Sequence, residues 1–242
     1  MRTDVLGVRF DNLTMDAAVD AARALMKERR AAYVVTPNPE IVLQCRELPA
    51  LADAVADAAL VLADGIGVIY AAKLLGRPLA AKVAGIDFAT RLMATMAPEG
   101  GRVFLFGAKP GIASCAAQNL AQTHPGLKLV GTHDGYFSSD NAVIKQINAA
   151  KPDLLLVCLG APKQELWMQR RAPLLDVGLM AGLGGSLDVF AGVSRRAPAR
   201  MQNLGLEWLY RLAREPRRIG RMAKLPGFLA LALLQRGKKD AS

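Results

Sequence analysis

Up to about residue 190, apolar residues fall in short continuous runs, each followed by a helix-like stretch. "YVV" precedes "PEIVLQCREL", "ALVLA" precedes "GVIYAAKLLG", and "RVFLFGA" precedes "GIASCAAQNLAQ". Further along, "KLVGT" leads into "NAVIKQINAA", "DLLLVCLGA" into "QELWMQRRA", and "GLMAGLGG" into "LDVFAG". Continuous rather than alternating hydrophobicity predicts strands covered on both faces, as in a parallel sheet. Gly, Pro, Asn or Asp stands at nearly every strand exit, where a turn is needed. The pattern therefore predicts an α/β fold: a mostly parallel sheet flanked by helices, Rossmann-like, over residues 1–193.

Near residue 194 the strand pattern stops, and a basic helical C-terminal appendage is expected over 194–242. Leu204, Leu206, Trp208, Leu209 and Leu212 sit among Arg211, Arg214, Arg217, Arg218 and Arg221. Basic residues beside an apolar stripe with an aromatic anchor describe an amphipathic helix lying at a membrane surface. The run "LPGFLALALL" is too short to span a bilayer but long enough to dip into one. The charge is just as uneven. Residues 195–242 hold 12 Lys/Arg against Glu207, Glu215 and Asp240, whereas the other 194 residues hold 19 Lys/Arg and 18 acids. A neutral body with a basic tail implies a docking element for an anionic membrane surface. Nucleic acid is not an expected partner, because only 5% of residues are aromatic and the basic charge is confined to that tail. Self-association into a homo-oligomer would shield the tail's apolar groups away from a membrane.

The composition, 52% hydrophobic and 21% charged, suits a large buried core. No uninterrupted run of about 18 apolar residues occurs, and the start "MRTDVLGVRFDN" has no signal-peptide h-region. Cys45, Cys115 and Cys158 match no zinc or disulfide spacing. The expected location is cytoplasmic, peripheral at the inner face of the cell membrane.

Ligands of parallel α/β sheets bind outside the carboxyl ends of the strands, so the residues after each apolar run are the candidates. They are Thr36-Pro37-Asn38-Pro39-Glu40, Asp64-Gly65, Gly107-Ala108-Lys109, Asp134-Gly135-Tyr136, Gly160-Ala161-Pro162-Lys163-Gln164-Glu165, and Gly184-Gly185-Ser186-Leu187-Asp188. Singly, each also reads as an ordinary turn or helix cap. There is no G-x-x-x-x-G-K-[ST] and no G-x-G-x-x-G, and two histidines supply poorly either a triad or a metal site. No Asp-x-Asp occurs, so no metal and no resident cofactor is expected. A leaving diphosphate would rely on cationic side chains and helix N-termini.

At "VTPNPEIV", "ADGIGV", "LGAPKQE" and "RRAPARMQNLGLEWLYRLAREPRR", the chain resembles the WecG/TagA/CpsF family of glycosyltransferases, nearly end to end. The resemblance implies an inverting, metal-independent enzyme of bacterial surface-polysaccharide synthesis. Such enzymes move N-acetylmannosamine or its uronic acid from a UDP donor to a lipid-linked acceptor, polyprenyl-diphosphate N-acetylglucosamine. The tail would dock at the membrane and complete the active site. It further implies that Asp64 is the base, that Thr36, Asn38 and Gln164 meet the sugar, and that Asp188 lies near the uracil. Arg211, Arg218 and Arg221, with Arg214 beside them, would reach the diphosphate. The substrate-binding set is completed by Lys82, Gly85 and Asp87, and by Gly107, Tyr136, Gly160, Pro162 and Glu165 at the strand exits. One departure concerns Lys82-Val83-Ala84-Gly85-Ile86-Asp87, where relatives often carry Arg in the place of Lys82. Lysine keeps the charge of that slot but loses the bidentate fork.

Asp64 follows a buried run, where desolvation raises a carboxylate's affinity for protons. Truncation near residue 194 is expected to leave a soluble, folded body with little activity. Two other readings share these features: a nucleotide-dependent oxidoreductase, disfavoured by the missing glycine fingerprint, and a non-catalytic peripheral membrane adaptor that binds a nucleotide.

Overall fold

A computed structural model of the chain describes residues 1–203, 205–214 and 224–240. It opens with an antiparallel hairpin of β1 (Arg2–Val5) and β2 (Val8–Asp11), then α1 (Met15–Glu28). Next come β3 (Ala32–Val35), α2 (Pro39–Glu47), α3 (Pro49–Ala56), β4 (Leu60–Val61), α4 (Ile66–Leu74) and α5 (Gly85–Met96). The second half alternates β5 (Arg102–Gly107), α6 (Ile112–Thr123), β6 (Lys128–His133), α7 (Asp140–Ala150), β7 (Leu154–Cys158), α8 (Lys163–Arg171), β8 (Leu179–Gly182) and α9 (Ser186–Phe190). The C-terminal segment contributes α10 (Ala199–Asn203), α11 (Glu207–Arg214) and α12 (Lys224–Asp240).

Six strands form one parallel sheet in the order β4-β3-β8-β7-β5-β6. The chain steps outward from β3 to one edge and from β5 to the other, then fills the middle with β7 and β8. Helices cover both faces. Val103 and Leu105 of β5 pack with α1, α5, α6 and α9, while Phe104 and Phe106 pack on the side of α2, α3, α4, α7 and α8. Apolar residues at consecutive positions are what a strand with two dry faces requires. The expected α/β sandwich is therefore the observed fold.

The sequence reading assigns no element to the N-terminal hairpin, to α1, to α3 or to α5. In the hairpin, Val8 and Phe10 are buried while Arg9 between them is exposed, the alternation of a strand covered on one face. The hairpin lies along the edge strand β4. Val61 N–H donates to Asp11 Oδ2 (2.9 Å), and Arg2, paired with Asp11 (3.2 Å), donates to the carbonyls of Ala58 (2.7 Å) and Ala59 (3.2 Å).

In the C-terminal segment, α12 lies against α4 and α2, with Phe228 and Ala232 fully buried in the core. Leu233 and Leu234 face outward. The run expected to dip into a bilayer thus buries part of its apolar face on the body. Among the described residues no helix is long and apolar enough to cross a membrane.

Candidate active site

Asp64 leaves β4 at the point where three helices begin. Its own N–H donates to Pro37 O (3.3 Å) just before α2, and Gly65 (φ 87°) turns the chain into α4. The Oδ2 of Asp64 accepts from Gly85 N–H (3.3 Å), the first amide of α5. The first amides of a helix have no partner within it, and the helix dipole favours a negative group there. Asp64 is half-buried rather than desolvated. Its carboxylate thus meets a helix-start amide, and it is less buried than the strand ahead of it. The anion is the form in which a base begins a reaction.

Thr36 and Asn38 converge on the same point. Thr36 is buried, and its hydroxyl donates to Gly182 O (3.3 Å) at the end of β8. A methyl group on Gly85 would lie 3.0 Å from Thr36 Oγ1, so glycine lets α5 approach closely. Asn38 caps α2, its Oδ1 accepting from Ile41 N–H (3.0 Å) with Pro39 in the first turn. That accounts for half of its side-chain amide and leaves Nδ2 as the group suited to a sugar oxygen. Lys82 is half-buried and precedes Val83, whose N–H donates to Ala63 O (2.8 Å) beside Asp64.

Gln164 ties this half of the rim to α8. It is buried, its Oε1 accepts from Gly184 N–H (2.9 Å), and its Nε2 donates to Glu165 Oε1 (2.8 Å). Glu165 is only 1% exposed and lies beneath the rim, with no hydrogen-bond partner for Oε2 among the described residues. Burial pushes its pKa above the ordinary 4.5, partly offset by the Gln164 bond. Burial, with Glu165 nearby, also raises the Cys45 thiol to about 12. A carboxyl whose pKa is raised by folding favours the fold below its unfolded value and disfavours it increasingly as pH climbs toward the raised one. Glu165→Gln should therefore flatten the decline in urea midpoint as pH rises above the ordinary carboxyl range, while matching the native chain at the acid end. An unchanged pH profile would show that Glu165 is not the source of that decline.

The other half of the rim is a cleft of about 720 Å³ at the exits of β5, β6 and β7, closed on one side by α9. Lys109, Tyr136, Lys163 and Asp188 line it. Tyr136 is 70% exposed at the mouth, and its N–H donates to Asp134 Oδ1 (2.7 Å). Lys163 Nζ donates to Gly135 O (3.2 Å) and stands 4.6 Å from the centre of the Phe137 ring, which fixes its charge against the wall. Asp188 sits in the first turn of α9. Gly107 (φ 128°) does not face the cleft: a Cβ there would lie 2.3 Å from Cys158 O, so it is needed for β5 to approach β7. Gly160 (φ 77°) and Pro162, which follows a cis peptide, shape the turn into α8.

Asp87 is engaged by a residue that sequence reasoning did not select. Arg196 places both terminal nitrogens on the Asp87 carboxylate, one contact at 3.1 Å, and its Nε lies 3.6 Å from Glu207 Oε1. Lys109 and Lys163 were visible only as members of strand-exit strings, and Arg196 only as part of the basic tail. Arg211 and Arg214 belong to α11, whereas Arg218 and Arg221 lie outside the described residues. The C-terminal segment nonetheless reaches the rim. A Cβ on Gly205 would lie 3.0 Å from Ile66, and one on Gly67 would lie 2.7 Å from both Leu225 and Pro39. Residues flanking α11 and opening α12 thus press on the first turn of α4, next to Asp64.

Comparison with known proteins gives the family of the chain. The chain matches the glycosyl transferase WecG/TagA/CpsF family over residues 3–242. It is 35% identical over 208 residues to the N-acetylglucosaminyldiphosphoundecaprenol N-acetyl-beta-D-mannosaminyltransferase of Bacillus spizizenii, covering 86% of this chain and 81% of that enzyme. It is also 35% identical over 231 residues to the Staphylococcus aureus enzyme of the same name, covering 94% and 91% respectively. With a family match along nearly its whole length and relatives this similar, the chain belongs to the WecG/TagA/CpsF family and is a glycosyltransferase.

Proposed function

We propose that this enzyme transfers an N-acetylmannosamine-type sugar from a UDP donor to N-acetylglucosamine on a polyprenyl diphosphate, with inversion and without a metal. The names of the relatives support the sugar and the acceptor. The observation that carries the mechanism is the Asp64 carboxylate at the meeting of three helix starts, held by Gly85 N–H. In this reading Asp64 takes the proton of the acceptor hydroxyl while that oxygen attacks the anomeric carbon. The bond from that carbon to the diphosphate breaks, and UDP leaves with the electron pair. Thr36, Asn38 and the neighbouring Gln164 orient the sugar, and Lys82 offers a charge beside it.

The cleft of Tyr136 and Asp188 suits the uridine, whose N3–H a carboxylate can accept. Lys109, Lys163 and the arginines of the tail supply positive charge for the leaving diphosphate. Residues 194–242 act as the appendage that seats at an anionic membrane surface, with the exposed Leu233 and Leu234 toward the lipid. Docking there brings the enzyme to its lipid-linked acceptor.

The test is a panel of UDP-sugars offered with a lipid-linked N-acetylglucosamine, the product's anomeric configuration being read by NMR. The expected result is turnover of the N-acetylmannosamine-type donor, a β-linked product from an α-linked donor, and activity that persists in EDTA. Failure of every UDP-sugar, or loss of activity with the chelator, would overturn the donor or the metal-free step respectively.

A further inference from the structure

We propose that Arg196 is a positioning residue for catalysis: it fastens the C-terminal segment to the first turn of α5, the turn whose amide holds Asp64. The proposal rests on the reading of Asp64 as the base. Arg196 lies in the segment between α9 and α10, and its side chain is 20% exposed. It joins three pieces of chain far apart in sequence. Its terminal nitrogens fork onto Asp87, the third residue of α5, and its Nε faces Glu207, the first residue of α11. Burial opposes the guanidinium's charge, and the bonds and charges of Asp87 and Glu207 more than offset it, so the pKa of Arg196 lies above its ordinary value.

The geometry gives this clamp a consequence. Two residues before Asp87, Gly85 N–H meets Asp64 Oδ2 at 3.3 Å, near the long limit for a hydrogen bond. A shift of a few tenths of an ångström in the first turn of α5 would lose it. The same C-terminal segment sets Gly205 against Ile66, two residues after Asp64. Arg196 thus fixes α5 on one side of the carboxylate and, through Glu207, steadies the turn at Gly205 that meets α4 on the other. A planar fork is needed to hold both Asp87 oxygens together, which lysine cannot supply.

The experiment is a double-mutant cycle of Arg196→Gln and Asp87→Asn in the full-length chain, with Arg196→Lys alongside and urea midpoints measured in parallel. Each single variant is expected to lower kcat by about 10–100-fold, the scale of a small misplacement at a reacting centre, with donor KM unchanged. The double variant should be no worse than either single one, because both remove the same contact. Arg196→Lys should recover part of the loss through its charge. Losses that multiply, a change confined to KM, or kcat within twofold of the native chain would overturn the proposal. If Asp64→Asn is inactive in the same assay, that failure belongs to the clamp alone; if Asp64→Asn turns over normally, the base assignment falls first.

Discussion

Asparagine in place of Asp64 is expected to lower kcat by about 10²–10⁴-fold while leaving UDP binding and the urea midpoint near their native values. The substitution is nearly isosteric, its carbonyl oxygen can still accept from Gly85 N–H, and its own N–H still donates to Pro37 O. What is lost is the ability to hold a proton. The acceptor hydroxyl would then attack without a partner for its hydrogen, the contribution general-base catalysis supplies. Single-turnover kinetics with saturating donor, and calorimetry with UDP, separate the two steps. Turnover close to native would remove Asp64 from the role of base, and loss of UDP binding would recast it as a binding residue.

The second large effect concerns α12. Phe228→Ala is expected to lower the unfolding free energy by about 3–5 kcal/mol, the range for deleting a fully buried aromatic ring, read as a drop in urea midpoint. Phe228 is buried in the same cluster as Val42, Val68 and Ala72, so its loss opens a void between α12, α2 and α4. Activity should fall with it, because Leu225 at the start of α12 presses on Gly67 and Pro39, which border Asp64 and Asn38. Truncation near residue 194 takes away the same cover. The truncated body is therefore expected to be less stable than its composition alone implies. A midpoint unchanged by Phe228→Ala would show that α12 contributes no such packing.

How much of this could be read from the residues depends on the range of each interaction. The strands of the sheet were legible because burial on two faces leaves a continuous apolar run, as in "RVFLFG" of β5. Asp64 was legible as a candidate because it ends such a run, and Gln164 and Asp188 for the same reason. The position of α12 was not, because ten apolar residues read the same whether they face lipid or α4. Arg196 was hidden by separation: its partner Asp87 is 109 residues away, and among so many tail arginines nothing local marks the paired one. The environment of Asp64 was only half legible. The run before it is dry, but the amide that meets its carboxylate comes from α5, 21 residues further on.

The hairpin along β4 has a consequence for how copies of this enzyme can meet. A bare sheet margin invites a neighbour's strand, which joins by backbone hydrogen bonds alone. Here Asp11 already occupies the amide of Val61 and Arg2 the carbonyls that precede it, so the β4 margin is spoken for by side chains. Growth of a continuous sheet across two molecules is then left to the opposite edge of this sheet, β6, at the far end from Asp64.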